Sequence, residues 1–294
     1  MPRPAPMRVH LVDGTFELFR AHFAPRPAKV VNGVDVKATA GVVGSMLALL
    51  EDKAEAVTHL AIAFDNPIVS FRNELFDGYK SDAGIPTSLR AQFDLVEVAA
   101  RALGIVVWSM DRWEADDALA TAATRFAGPD TQVRILTPDK DLGQVLSGDR
   151  VVQVDRIRRK VIDEAAMRER RGVGPKSIPD LLGLMGDASD GIPGIPGFGE
   201  KSSAALLARY EAIEAIPDDA ADWDVKVTGA PRLAATLAAR REDALLYKRL
   251  ATLVRDVPLA ESLADLEYRG ALRGPYAELC ARLDMTPRWT RFRD

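Results

Sequence analysis

Short apolar runs ending on acids set the pattern of the first half of the chain. Residues 8–12 (Arg-Val-His-Leu-Val) predict a buried strand that stops at Asp13, and Gly14 turns the chain into a helix near Thr15. An Ala-rich apolar stretch over 38–54 predicts a helix. Residues 59–64 (His-Leu-Ala-Ile-Ala-Phe) predict a second strand, closed by Asp65. Residues 66–85 mix charges, aromatics and glycine, as a loop or irregular helix does. A helix over 87–103, a strand over 105–108, a helix over 112–126 and a strand over 132–136 follow, with Asp139 and Asp141 just after the last. Strands alternating with helices predict an α/β fold with a mostly parallel sheet.

Beyond residue 150 the pattern changes. Residues 151–154 and 161–162 predict a hairpin around Arg156, Arg158, Arg159 and Lys160, and Arg168, Arg170, Arg171 and Lys176 continue the positive run. From about 178 onwards the chain reads as mostly helical, including 230–250 and 275–284. A boundary near 175 separates an α/β domain, 1–175, from a helical one, 176–294. The Pro-rich tip MPRPAP predicts disorder.

The placement of the acids carries chemistry. Asp13, Asp65, Asp139 and Asp141 fall at the carboxyl ends of predicted strands, and Glu114, Asp116 and Asp117 open a helix. In an open parallel sheet, sites form at that edge. So many carboxylates in one cleft cannot all stay ionised without cations. Oxygen-only ligation, with no Cys or His, points to a hard ion, Mg²⁺ or Mn²⁺. The competing reading gives Asp13 to an N-cap and the 114–117 acids to a helix dipole. A dipole accounts for one or two acids, less easily for three within four residues. Residues 184–207, LMGDASDGIPGIPGFGEKSSAALL, add a second feature. Asp187 and Asp190 are three apart, so one helical turn would aim both at the same point. Gly191, Gly194, Gly197 and Gly199, interrupted by Pro193 and Pro196, exclude helix interior and central strand. Such a loop, leading into a helix near Glu200, offers bare N–H groups to a phosphate.

Charge at first opposes a nucleic-acid partner, because the formal net charge is −4. Two divalent ions would cancel it. No apolar stretch has the roughly 20 residues of a membrane helix or the form of a signal peptide. The single cysteine, Cys280, excludes an internal disulfide, which fits a reducing cytoplasm.

The motifs LVDGTFELFRAHF, FRNELFDGYK, WEADDALAT, LTPDKDLGQVL and the 184–207 segment occur in that order. Together they resemble the 5′–3′ exonuclease and flap endonuclease family, most of all the 5′-nuclease domain attached to bacterial DNA polymerase I, here as a free-standing version. The resemblance runs from about residue 8 to 290. It implies a PIN-like nuclease fold with a helical arch at about 66–90 and a C-terminal helix–three-turn–helix subdomain. It implies that Asp13, Asp65, Glu114, Asp116, Asp117, Asp139, Asp141, Asp187 and Asp190 hold two or more Mg²⁺ or Mn²⁺ ions. In that scheme Asp139 and Asp141 share the second position with Asp187 and Asp190.

By the same resemblance Lys80 contacts the scissile phosphate, Arg72 grips a neighbouring phosphate, and Tyr79, with Phe71 beside it in the arch, stacks on an unpaired base. Arg20 matches a basic position near the cleft. Gly194, Gly197, Gly199, Lys201 and Ser202 match the element that binds the duplex backbone, often with a K⁺ on main-chain carbonyls. Taken without the family, Phe71, Arg72, Tyr79, Lys80 and Arg20 read as ordinary surface. The chain departs from the family pattern at Pro138, where Gly is common, at Ala83, where Arg is common, and at Gly191, where Asn is common. These imply a shifted turn and one phosphate contact fewer in the arch.

The implied activity is structure-specific 5′ nuclease action on DNA with a 5′ flap, overhang or nick, by a monomer, in replication and repair. A non-catalytic DNA-binding paralogue and an RNase of the related class are the alternatives. The DGT segment also suggests phosphatases with an Asp nucleophile, but Leu11 occupies the nucleophile's position.

Overall fold

The computed structural model describes residues 7–289 and 291–293; the Pro-rich tip lies outside them. The chain packs as two compact units. Unit 1 comprises Met1–Val69, Asp82–Thr137 and Arg255–Asp294, and unit 2 comprises Ser70–Ser81 and Pro138–Val254. The units interleave along the chain, whereas the sequence pattern points to a sequential split near 175.

Unit 1 begins with β1 (Met7–Asp13), α1 (Gly14–Phe23), a small hairpin of β2 (Val30–Val31) and β3 (Val34–Asp35), and α2 (Lys37–Glu51). It continues through β4 (His59–Asp65), α3 (Thr87–Arg90), α4 (Phe93–Ala102), β5 (Val106–Met110), α5 (Ala115–Phe126) and β6 (Thr131–Leu136). Four of these strands pair in parallel in the order β5-β4-β1-β6. Val9, Leu11, Val12 and Leu60 to Phe64 are buried without alternation. That is the pattern of strands covered on both faces, and it is why they read as continuous apolar runs.

Two expectations are revised here. The single helix over 87–103 is two helices, because Gln92 turns inward between them. Its buried side chain accepts from Thr39 N at 2.9 Å and Thr39 Oγ1 at 3.1 Å. The helical arch expected over 66–90 is helical only at α3 and at a 3-10 turn, Phe71–Glu74. Pro67, Gly78, Gly84 and Pro86 interrupt any longer run.

His10 and Arg134, partners in the β1–β6 ladder, meet Glu55 from the loop before β4. Glu55 accepts from Arg134 Nε at 2.8 Å and Nη2 at 3.0 Å, and pairs with His10 Nε2 at 2.9 Å. The His10 hydrogen bond, and then Arg134, overcome burial and pull Glu55 down to about 2. Burial holds His10 below its ordinary 6.5. Both shifts have the same sign for stability. Glu55 contributes stability above its ordinary 4.5 that is lost as pH falls toward about 2. His10 resists the charge that acid imposes on the unfolded chain. The melting temperature is therefore expected to fall steadily on acidification, and Glu55→Gln is expected to flatten that slope below pH 4.5. Calorimetry across that range checks it, and an unchanged slope contradicts it.

Unit 2 holds a hairpin of β7 (Val151–Asp155) and β8 (Lys160–Ile162), then α6 (Glu164–Arg171), α7 (Ile178–Met185), α8 (Glu200–Tyr210), α9 (Ala230–Ala239) and α10 (Arg241–Ala251). The basic run at 168–171 is the last turn of α6, a helix that hydrophobic pattern alone did not reveal. Asp163 caps its start by accepting from Ala166 N at 2.8 Å, and Gly172 ends it at φ 73°. α7 packs closely on α10: a Cβ on Gly183 would lie 2.8 Å from Lys248 N. Buried Asp180 accepts from Lys248 Nζ and Ile213 N, both at 2.8 Å. The chain re-enters unit 1 with β9 (Ala271–Leu272), α11 (Arg273–Arg282), where Cys280 is buried, and β10 (Phe292–Arg293) parallel to β9. Among the described residues, no helix is long and apolar enough to cross a membrane.

Candidate metal centre and phosphate loop

Unit 1 carries five of the acids. Asp13 and Asp65 are the last residues of the adjacent strands β1 and β4. Asp13 Oδ1 caps α1 by accepting from Phe16 N at 2.8 Å, and its Oδ2 accepts from Thr137 Oγ1 at 2.9 Å. Asp65 Oδ1 accepts from Ala115 N at 2.7 Å, which ties the end of β4 to the start of α5. Glu114 is the N-cap of α5, and its N–H donates to Asp117 Oδ2 at 3.0 Å, forming a capping box. The plain capping roles are therefore real for Asp13, Glu114 and Asp117. A carboxylate has about four lone-pair directions, so such bonds orient it without excluding a metal. Asp116 stands in the same turn, half-buried and outside the box. Arg20 is half-exposed, held by the buried Glu17 carboxylate and 3.2 Å from Ser45 Oγ.

Unit 2 carries the other four. Asp139 caps the 3-10 turn Lys140–Val145, accepting from Asp141 N at 2.9 Å, so the turn forms despite Pro138. Asp141, Asp187 and Asp190 each bring one carboxylate oxygen within 4.8 Å of the others. Asp187 and Asp190 achieve this in a turn, not on a helix as the spacing predicts. α7 stops at Gly186, φ 81°, and Asp187 and Ile192 exchange backbone hydrogen bonds of 2.8 Å that close the turn. Lys140 Nζ contacts the Asp187 carboxylate, and Lys80 Nζ lies 3.0 Å from Asp190 Oδ1. Burial, followed by the charges of Asp139 and Asp190, pushes Asp141 well above the usual carboxylate range. Burial also opposes ionisation of Asp187, but hydrogen bonds from Lys140 and Ser189 bring it below that range. Asp141 Oδ1 is buried with no hydrogen-bond partner. A buried carboxylate with an unpartnered oxygen, grouped with two more carboxylates, suits a hard divalent cation.

The glycine loop runs from Gly186 to Gly199. Ile192, Ile195 and Phe198 are buried and pin it at every third residue. Ile195 N donates to Leu184 O at 2.7 Å, and Phe198 N to Ile195 O at 3.0 Å. Gly199 is the N-cap of α8; its N–H donates to Ser202 Oγ at 3.0 Å, and Lys201 is exposed beside it. Gly197, at φ 90°, is exposed. Two positions of this loop leave the least room for a Cβ. At Gly194, φ 71°, a Cβ would stand 2.4 Å from Gly186 N. At Gly191, φ 74°, it would stand 2.1 Å from Gly78 O. That second contact accounts for the departure from Asn. Gly191→Ala combines positive-φ strain with a backbone clash and is expected to destabilise unit 2 by about 3 kcal/mol. Urea unfolding measures this, and an unchanged midpoint refutes it.

Two expected substrate contacts are corrected. Arg72 is 1% exposed, and its guanidinium donates to Leu250 O at 2.8 Å and Thr252 O at 2.9 Å. It satisfies the carbonyl end of α10 and does not grip phosphate. Tyr79 is buried, so its ring offers no face to a base. Asn73 Nδ2 donates to Lys80 O at 2.9 Å and folds 73–80 into a closed loop, which directs these side chains inward. Phe71 is half-buried under the Arg72 guanidinium, 4.7 Å from its ring centre. The Asp-Lys-Asp spelling at 139–141 is the sequence signal for Lys140, a contact that the motif resemblance does not include.

Acids close the strands of a parallel sheet in unit 1, and in unit 2 acids converge on a closed turn beside a glycine-rich loop that opens a helix. The chain belongs to the 5′–3′ exonuclease family: residues 8–172 match its N-terminal resolvase-like domain and 173–273 its C-terminal SAM fold. DNA polymerase I of Bacillus caldotenax is 36% identical over 266 residues, covering 88% of this chain but only 29% of that protein. A 5′-3′ exonuclease of Aquifex aeolicus is 29% identical over 262 residues, covering 89% of this chain and 86% of the relative. In fold, the T5 D15 flap endonuclease, solved with DNA and metal ions, aligns at TM-score 0.64 and 18% identity, over 95% of this chain and 100% of that one.

Proposed function

We propose that this chain is a divalent-metal-dependent, structure-specific 5′ nuclease that cuts DNA bearing a 5′ flap, overhang or nick. The carrying observation is the trio Asp141, Asp187 and Asp190, one of whose members, Asp141, has a buried oxygen with no hydrogen-bond partner. In this reading Asp139, Asp141, Asp187 and Asp190 hold one ion, and Asp13, Asp65, Glu114, Asp116 and Asp117 hold another. Bound Mg²⁺ or Mn²⁺ would supply the charge that activates water and stabilises the leaving 3′-oxygen.

The protein's own residues do the positioning. The capping bonds of Asp13, Asp65 and Asp117 fix those carboxylates before substrate arrives. Lys80, half-buried beside Asp190, places an ammonium for the scissile phosphate and stabilises charge developing on it. The 186–199 loop and the start of α8, with Lys201 and Ser202, take the duplex backbone. A K⁺ on the loop's carbonyls belongs to the same proposal. Backbone contacts fix register without reading sequence, so binding follows structure and weakens with salt. A PIN-like domain over 1–175 with a helical domain over 176–294, a monomeric state, and cytoplasmic work in replication and repair complete the reading.

Incubating the protein with a labelled 5′-flap duplex and Mn²⁺ tests it. The expected result is release of the flap, leaving 5′-phosphate on the duplex, with an RNA flap cut much more slowly. Binding without cleavage would make the chain a non-catalytic DNA binder, and preference for the RNA flap would make it an RNase.

A further inference from the structure

Resting on the reading above for the identity of the metal-holding acids, we propose that Lys140 is a tethered counter-ion of the unit 2 site. An incoming divalent ion must displace it, so Lys140 sets the affinity of that position. Lys140 Nζ contacts the Asp187 carboxylate and lies 3.9 Å from Asp141 Oδ1, the oxygen with no hydrogen-bond partner. Lys80 Nζ stands 3.0 Å from Asp190 Oδ1. Each acid of the trio therefore faces an ammonium, and the two ammoniums already offset most of the charge that an ion would offset.

An ammonium has three donors and no acceptor, so it competes with a cation for the same carboxylate lone pairs. It cannot remain at its present distance from Asp141 and Asp187 beside a divalent charge in a half-buried site. Nor can it diffuse away, since its backbone lies between Asp139 and Asp141. The side chain is 28% exposed, so its long stem has a route to water. Metal entry is thus an exchange: the ion takes the Asp187 oxygen and the Lys140 ammonium swings outward. A phosphate that captures the released ammonium favours the exchanged state, so polyanion binding and metal binding strengthen each other.

Isothermal titration of the whole, DNA-free protein with MnCl₂ tests this, comparing wild type, Lys140→Met, Lys140→Gln, Lys140→Arg and Asp187→Asn. Lys140→Met and Lys140→Gln are expected to bind Mn²⁺ roughly tenfold more tightly at one site, as removal of a nearby charge shifts carboxylate affinity by about an order of magnitude. Lys140→Arg is expected to stay near wild type, and Asp187→Asn to lose that site. If Asp187→Asn loses a site while both neutral variants bind no more tightly than wild type, the displaced counter-ion is refuted and the metal site stands. If Asp187→Asn leaves Mn²⁺ binding unchanged, the trio is not a metal position and both readings fall.

Discussion

Asp116→Ala is expected to lower Mg²⁺-dependent flap cleavage roughly a thousandfold while duplex binding survives. Asp116 is the acid best suited to this test. Asp13 and Asp117 also hold helix starts, and Asp65 ties β4 to α5, so their loss mixes chemistry with stability. Asp116 sits in the first turn of α5, half-buried and outside the Glu114–Asp117 capping box. Removing it lowers the local negative charge that would hold a cation in the proposed site, and it leaves the sequence of the 186–199 loop unchanged. Single-turnover cleavage of a labelled flap and fluorescence anisotropy of an uncleaved duplex give the two readouts. Full activity in the variant would remove the metal-ion mechanism.

Arg72→Ala is expected to lower the unfolding free energy by about 3–5 kcal/mol. The guanidinium is 1% exposed, and the truncation strands the carbonyls of Leu250 and Thr252 that it now satisfies. It also opens a void beside Phe71 and removes a cation from the end of α10, where the helix dipole favours one. Arg72→Lys recovers little, because one ammonium cannot reproduce the fork that reaches both carbonyls. A surface phosphate contact predicts the opposite pattern: near-wild-type stability and a shallower salt dependence of DNA binding. Urea unfolding, paired with anisotropy at several salt concentrations, separates the two.

The strands and the acids closing them were legible because strands buried on both faces leave uninterrupted apolar runs, and Asp13 and Asp65 punctuate them. The glycine loop was legible for a similar reason, since Gly and Pro at short intervals admit few conformations. What escaped was direction. Spacing of three placed Asp187 and Asp190 on a helix, but Gly186 ends α7 first, and the closed turn converges the carboxylates by another route. Arg72 and Tyr79 read as surface because an Arg and a Tyr in a polar loop look alike whether they face out or in. The partners that decide, the carbonyls at 250 and 252, lie some 180 residues away. Gly191 read as a departure because its reason, the carbonyl of Gly78, is equally remote in sequence.

The twelve-residue segment Ser70–Ser81 belongs by packing to unit 2 but is spliced into the chain of unit 1. Unit 2 is therefore built from two separated stretches of sequence. A protease fragment or recombinant piece covering 138–254 alone leaves behind Arg72, which finishes α10, and Gly78, which lies against the glycine loop.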